Sequence, residues 1–337
     1  MSTRVSAWER LAPVLDLCTP MALRVAATLR LADLIADGAS DVDTLATRAD
    51  CAADALGRML RLLVARGVFT EPRPGVFGLN ETAELLLSSH PEGMRTWLDL
   101  DGFGGRMDLA FTGLLHTVRT GEPAWESVFG RPFWEYLDAE PAVASSFDEA
   151  MSVAPEHFAD VLTGHDWSSV RHVVDVGGGD GMLLGVLLRA HPDLRATLVD
   201  LPDTVGRAGR HLGEPGVAGR CSVAAQSFFD PLPTGGDVYV LRRVLHDWGD
   251  ADATRILANC ARAAGERGSV LIMEVHGSSG ADPAPLAEMN LRMLVLCGGR
   301  ERSVAEYGEL AASAGLRVLG NTVTEQASVF IQCEPLG

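Results

Sequence analysis

The chain is 337 residues long, 47% hydrophobic and 22% charged, with a formal net charge of −17; this fits one large globular domain plus a smaller one. So acidic a chain repels phosphate backbones and anionic lipid, which argues against nucleic-acid and membrane partners. All 28 basic residues are arginines, so chemistry that requires a lysine is excluded, including Schiff-base enzymes, lysine-dependent P-loop ATPases and standard protein kinases.

The opening segment, MSTRVSAWERLAPVLDLCTP, lacks the apolar run of a signal peptide, and no uninterrupted apolar stretch reaches membrane-spanning length. A cytoplasmic protein is expected. Six cysteines with no CxxC pair read as free thiols rather than a zinc site or a disulfide framework.

Pro20 to Asp37 places apolar side chains at helical spacing and stops at Gly38. Ser40 or Asp41 can cap a short helix over 42–49, and a second helix over 53–66 ends at Gly67. Two short β-like stretches follow, 68–70 and 76–79, separated by the turn-forming EPRPG. Helix, turn, helix and hairpin outline a winged helix over 1–95. Residues 1–92 hold nine arginines against twelve Asp and Glu, so no basic excess supports DNA binding. The broad apolar face of 20–37 suits a partner subunit and predicts a homodimer; the alternative is burial within its own domain.

Residues 96–165 read as a helical region rich in large side chains, among them Trp134, Phe147 and Met151. As a group these can wall an apolar pocket. From 166 to 337 strands and helices alternate, with strands over 172–176, 196–200, 221–225, 238–242, 270–275, 317–322 and 328–333. That pattern predicts a parallel, doubly wound α/β sheet.

The first of these strands runs into Asp175-Val176-Gly177-Gly178-Gly179-Asp180-Gly181 and then a helix. Glycines here let a ligand approach the backbone and aim the helix N-terminus at it. Asp200 closes the second strand, where an acid can accept both hydroxyls of a ribose. The dinucleotide fingerprint fails, because its third glycine falls on Met182 or Leu184. An aspartate heading the loop suits a ligand with a cationic end, such as an aminoacyl sulfonium.

At this point the sequence resembles the class I S-adenosylmethionine-dependent O-methyltransferases of bacterial secondary metabolism, related to plant caffeic-acid-type enzymes. The resemblance spans nearly the whole chain, through TPMALRVAATLRLADLI, LGRMLRLLVARGVF, VVDVGGGDG, LVDLP, SFFDPLP, VLHDWGD and NLRMLVLCGGRERS. It implies a winged-helix dimerisation domain joined to a Rossmann-like methyltransferase domain, with S-adenosylmethionine as cofactor. Carried over, the methionine part lies against Asp175, Gly177 and Gly179, and the ribose on Asp200 with Leu201. Adenine lies near Ser227, Phe228 and Phe229, while Arg242 stands where relatives carry a basic residue near the cofactor.

Methyl transfer to a phenol benefits from a general base, and histidine suits that work. His246 sits just beyond the C-terminal end of a strand, where open α/β sheets place their sites. Position leaves it structural or functional; the resemblance makes it the base. Such an imidazole needs an acceptor on its second nitrogen, with Glu274 and Glu301 as the candidates. Asp247 is expected to shape the turn, and Asn290, Arg292 and Met293 to meet a flat, small aromatic hydroxylated acceptor. No carboxylate cluster suggests a metal. Two rivals from other classes are a nicotinamide-dependent oxidoreductase and a winged-helix regulator with a degenerate enzyme domain.

Overall fold

The computed structural model, which describes residues 6–152, 159–206, 208–275, 283–324 and 328–336, breaks the helix expected over 20–37 into two. Cys18–Thr28 and Leu31–Ala36 are separated at Arg30, whose left-handed φ of 54° is rare for a residue with a side chain. The break lets both pieces bury a face: Ala22, Ala26, Ala27, Leu31, Ala32 and Ile35 all lie inside. This face is therefore spent on its own unit, while Trp8, Leu11, Val14, Leu15 and Leu17 just upstream are exposed. Among the described residues, 7–28 is the one stretch long and apolar enough to cross a membrane by composition. It is three helical pieces interrupted at Asp16 and Leu17, not one spanning helix.

Asp41 caps the next helix, Val42–Arg48, by accepting the Thr44 N–H at 2.9 Å. Ala53–Ala65 follows, burying Leu56, Leu60 and Leu63. The hairpin pairs β1 (Thr70–Arg73) with β2 (Val76–Gly78) in antiparallel. β1 starts later than the sequence suggests because the Val68 N–H still bonds back to the Leu63 carbonyl at 2.9 Å.

The chain divides into two compact units, Met1–Leu109 with Glu140–Val153, and Ala110–Ala139 with Ala154–Gly337. The helical region read from sequence as 96–165 is thus shared between them.

The second unit is built on a seven-stranded sheet in the order β5-β4-β3-β6-β7-β9-β8. Its strands are β3 (His172–Val176), β4 (Arg195–Asp200), β5 (Cys221–Ala225), β6 (Val238–Arg242), β7 (Ser269–Val275), β8 (Leu316–Val323) and β9 (Ser328–Pro335). Pairing is parallel from β5 to β7, whereas β9 runs antiparallel to both β7 and β8. The sheet is mixed, not wholly parallel. Helices pack on both faces: Met182–Ala190 covers one core cluster, and Asp250–Ala264 with Val304–Ser313 covers the other. That arrangement explains the almost continuous apolar runs of β3, β6 and β7. It also brings the C-terminal ends of β3, β4, β6 and β7 to one edge.

Candidate active site

At the end of β3 the chain turns through Gly177, Gly179 and Gly181, with φ of 74°, 61° and 81°, into the helix Met182–Ala190. Only glycine takes these angles without strain. A Cβ on Gly177 would press into Val244, yet a Cβ on Gly179 would meet nothing within 4 Å. The backbone there is open to a ligand. Asp200 organises the loop itself: its Oδ2 accepts the Gly179 N–H at 2.8 Å and its Oδ1 accepts the Leu201 N–H at 2.7 Å. A carboxylate offers about four acceptor sites, and each of its oxygens gives one to these backbone N–H groups.

Asp175 is different. It is buried, and neither carboxylate oxygen has a hydrogen-bond partner among the described residues. Burial pushes its carboxyl up to about 7; Arg242 works against the shift, while Asp200 and Asp180 add to it. An orphaned buried acid heading an open loop fits a ligand that brings its own positive charge. Burial pulls the guanidinium of Arg242 down to about 10, helped by Arg243 and opposed by Asp175, Asp160 and Glu274.

Beyond β5, the Ser227 hydroxyl accepts the Phe229 N–H at 3.2 Å, and the Asn259 side chain donates to the Phe228 carbonyl at 2.8 Å. The Phe228 and Phe229 rings both meet Trp248 edge-on, at 5.7 and 4.9 Å. Trp134, expected to wall an acceptor pocket, stacks on Trp248 at 6.0 Å and 13° from parallel.

His246 is presented by a tight exit from β6. Arg243 takes a left-handed φ of 52°, a strain on the order of 1–3 kcal/mol, and a single 3-10 turn, Leu245–Asp247, follows. The imidazole Nδ1 lies 2.9 Å from Glu301 Oε1, and Nε2 lies 3.5 Å from Asp247 Oδ1. A carboxylate can only accept, so Nδ1–H donates to Glu301 and Nε2 is the nitrogen able to take a proton. Glu274 instead accepts the Leu245 N–H at 3.0 Å and steadies the turn. Of the two glutamates, only Glu301 holds the ring. Burial disfavours a charged imidazole, but Asp247, Glu274 and Glu301 outweigh it and lift His246 to about 10. Burial likewise raises Glu274 to about 7 and Asp247 to about 6, with the imidazolium opposing in both.

The loop carrying Glu301 needs its glycines. A Cβ on Gly299 would run into the His246 carbonyl and the Asp247 backbone, and the Arg300 N–H donates to that carbonyl at 2.8 Å. Asn290 accepts the Glu301 N–H at 2.9 Å, so it holds this loop. Met293 is buried on the same helix, Ala284–Cys297, and Arg292 lies over Phe111 and pairs with Glu288. Phe147 and Met151 lie on Pro141–Ser152 in the first unit; Phe147 meets Phe103 edge-on at 4.9 Å and Met151 is exposed. Among the described residues no group of His, Cys, Asp and Glu is arranged to hold a metal. Trp248 and Gly299 carry no periodicity of their own; only their neighbourhood to His246 and the paired glycines point to them.

Comparison with known proteins bears on this arrangement. A family model for the O-methyltransferase domain matches residues 111–317, and one for the O-methyltransferase dimerisation domain matches 14–89. The chain is 49% identical to a 2,7-dihydroxy-5-methyl-1-naphthoate 7-O-methyltransferase from Streptomyces carzinostaticus, covering 90% of this chain and 91% of the relative. It is 47% identical to the aclacinomycin 10-hydroxylase RdmB of Streptomyces purpurascens, over 89% of this chain and 82% of that one. The crystal structure of the neocarzinostatin O-methyltransferase NcsB1, bound to S-adenosylmethionine and 2-hydroxy-5-methyl naphthoic acid, superposes with a TM-score of 0.91 at 45% identity, covering 99% of this chain and 100% of that one.

Proposed function

The chain belongs to the O-methyltransferase family, and from that premise we propose that it methylates a hydroxyl of a naphthoate-like aromatic acceptor, using S-adenosylmethionine and His246 as general base. The observation that supports the reading is the 2.9 Å bond from His246 to Glu301, which fixes the ring and leaves Nε2 as the nitrogen that would face the acceptor. Asp175, the open loop at Gly179 and the Asp200 carboxylate would hold the methionine and ribose parts, and the Phe228–Phe229–Trp248 cluster the adenine. When bound, S-adenosylmethionine supplies the methyl group and leaves as S-adenosylhomocysteine.

An unperturbed imidazole near 6.5 lies uphill of a phenol near 10 by about 5 kcal/mol as a proton acceptor. The carboxylates around His246 erase that gap by raising it to about 10. At neutral pH the resting imidazole therefore carries a proton, and the productive state is a phenolate beside an imidazolium. On acceptor binding the resting Nε2 proton is released to solvent, and Nε2 takes the phenol's proton in its place. The oxygen–methyl bond forms next, with the imidazolium holding the proton taken from the acceptor. The sign follows: kcat/KM for the acceptor should rise with pH toward about 10, because one proton must leave. A bell centred near pH 6.5 would contradict the raised imidazole.

A hydroxylase reading is prompted by the RdmB likeness. Incubation with labelled S-adenosylmethionine and 2,7-dihydroxy-5-methyl-1-naphthoate, with and without oxygen, separates the two. We expect methylated product and S-adenosylhomocysteine in both atmospheres. Oxygen-dependent hydroxylation without methyl transfer would overturn the proposal. The dimerisation-domain match and the exposed Trp8, Leu11 and Val14 support a homodimer; Leu11→Glu with Val14→Glu should give a monomeric mass by light scattering.

A further inference from the structure

Arg302 is one of the few charged side chains buried among the described residues, and all its donors are engaged around His246. Its side chain is 1% exposed. Nη1 donates to the Leu245 carbonyl at 2.8 Å and to the Arg300 carbonyl at 3.3 Å. Nη2 donates to the Trp248 carbonyl at 2.7 Å and to Asp250 Oδ1 at 2.8 Å, and Nε reaches the same oxygen at 3.0 Å. Leu245 and Trp248 are the residues on either side of the His246-Asp247 pair. One planar guanidinium thus spans the turn that presents the base, from the residue before it to the residue after it. The same short loop supplies Glu301 to Nδ1 and the Arg300 N–H to the His246 carbonyl.

We propose that Arg302 is a positioning residue for methyl transfer, clamping both ends of the His246 turn so that Nε2 is held toward the acceptor. This rests on His246 being the base. Burying a cation is costly unless its donors are satisfied, and here the partners are two carbonyls of the turn that presents His246, one of its own loop, and a carboxylate. A lysine has a point charge with no fixed fork and cannot reach all four groups at once. Glu301 orients the ring, but without the clamp the backbone beneath the ring is free to shift. Displacement of a catalytic group by about 1 Å costs on the order of 10²-fold in rate.

The test is a double-mutant cycle on the full chain with Arg302→Lys and His246→Ala, alone and combined. Arg302→Lys should lower kcat by about 10–100-fold while leaving the acceptor KM and S-adenosylhomocysteine affinity within about twofold. In the His246→Ala background the same change should add nothing, because residues that act as one unit are not additive. An equal loss with and without His246, or a matching loss of S-adenosylhomocysteine affinity, would show a merely structural arginine and overturn the proposal. Wild-type turnover in His246→Ala alone would sink the base assignment instead, so the two failures are distinguishable. Should Arg302→Lys fail to fold, Asp250→Ala removes the exposed anchor of the guanidinium and should give a smaller loss, again only while His246 is present. No loss, or one that persists without His246, counts against the clamp.

Discussion

The two halves of the site use buried carboxylates in opposite ways. Around His246, three acids gather about a cation that the chain itself supplies, and they lift its pKa. At the glycine loop, Asp175 is just as deeply buried and has no hydrogen-bond partner among the described residues. Both clusters keep unpartnered carboxylate oxygens, Glu274 Oε2 and Glu301 Oε2 in the first and both oxygens of Asp175 in the second. The difference is that the first holds its cation in hydrogen-bond contact, whereas Arg242 opposes the shift at Asp175 without hydrogen-bonding it. What a buried acid does at a sheet edge therefore depends on how closely its counter-charge is held.

The largest expected effect breaks the self-supplied side. His246→Ala should lower kcat by roughly 10²–10⁴ with S-adenosylhomocysteine affinity intact, and the deficit should shrink at high pH as the phenol ionises unaided. Calorimetry beside steady-state kinetics would check both halves. Glu301→Gln comes next: the amide still accepts from Nδ1 but no longer favours the imidazolium, so turnover should fall by about 10–100-fold. Its kcat/KM profile should also level off at lower pH than that of the parent. If the profile does not move, the carboxylates are not what raises the imidazole.

On the ligand-dependent side, Asp200→Ala should weaken S-adenosylmethionine binding by roughly 1.5–3 kcal/mol. It removes the tie to the Gly179 N–H and, on the proposed placement, the acceptor for ribose hydroxyls. Unchanged affinity in a folded variant would mean that the cofactor lies elsewhere. The smallest effect is on stability. Asp175 and Glu274 both have folded pKa values raised to about 7, so the fold favours their neutral forms. Their penalty is absent below the ordinary carboxylate range and grows as pH rises toward 7. His246, raised to about 10, adds stability below 6.5 that is lost as pH climbs to 10. All three slopes share one sign, whereas the lowered carboxylates of Asp16, Asp41, Asp166, Asp250 and Glu306 and the burial-lowered His165 act the other way at acid pH. The melting temperature of the ligand-free protein should therefore fall as pH rises from about 6.5 to 10. S-adenosylhomocysteine should flatten the Asp175 share, and Asp175→Asn should abolish that flattening.

Much of this was legible in the sequence. The glycine loop, the acid ending β4 and the histidine beyond β6 each follow a short local pattern, and strand positions were readable from apolar runs. The division of labour between Glu274 and Glu301 was not. It depends on a bond between residues 246 and 301, and no periodicity links positions so far apart. The use of Asp200 as an anchor of the glycine loop hides in backbone geometry that one side chain cannot reveal. The break at Arg30 was missed because a left-handed arginine runs against the steric expectation for its residue type. Trp134 was assigned by composition, and only packing showed its stack on Trp248.

The antiparallel edge of the sheet has a consequence for how the protein is made. β7, which carries Glu274, has its outer neighbour in β9, and β8 lies outside β9 although it precedes it in the chain. As the polypeptide grows, β8 therefore emerges with no strand to pair with. β7 likewise keeps a bare edge until β9 arrives and slots between them. Domains fold as units during synthesis, and unpaired strand edges in the interim invite aggregation. The latest strand to appear is the one that closes the sheet, so the nascent chain would depend on that closing step to shield β7 and to set Glu274 beneath the histidine turn.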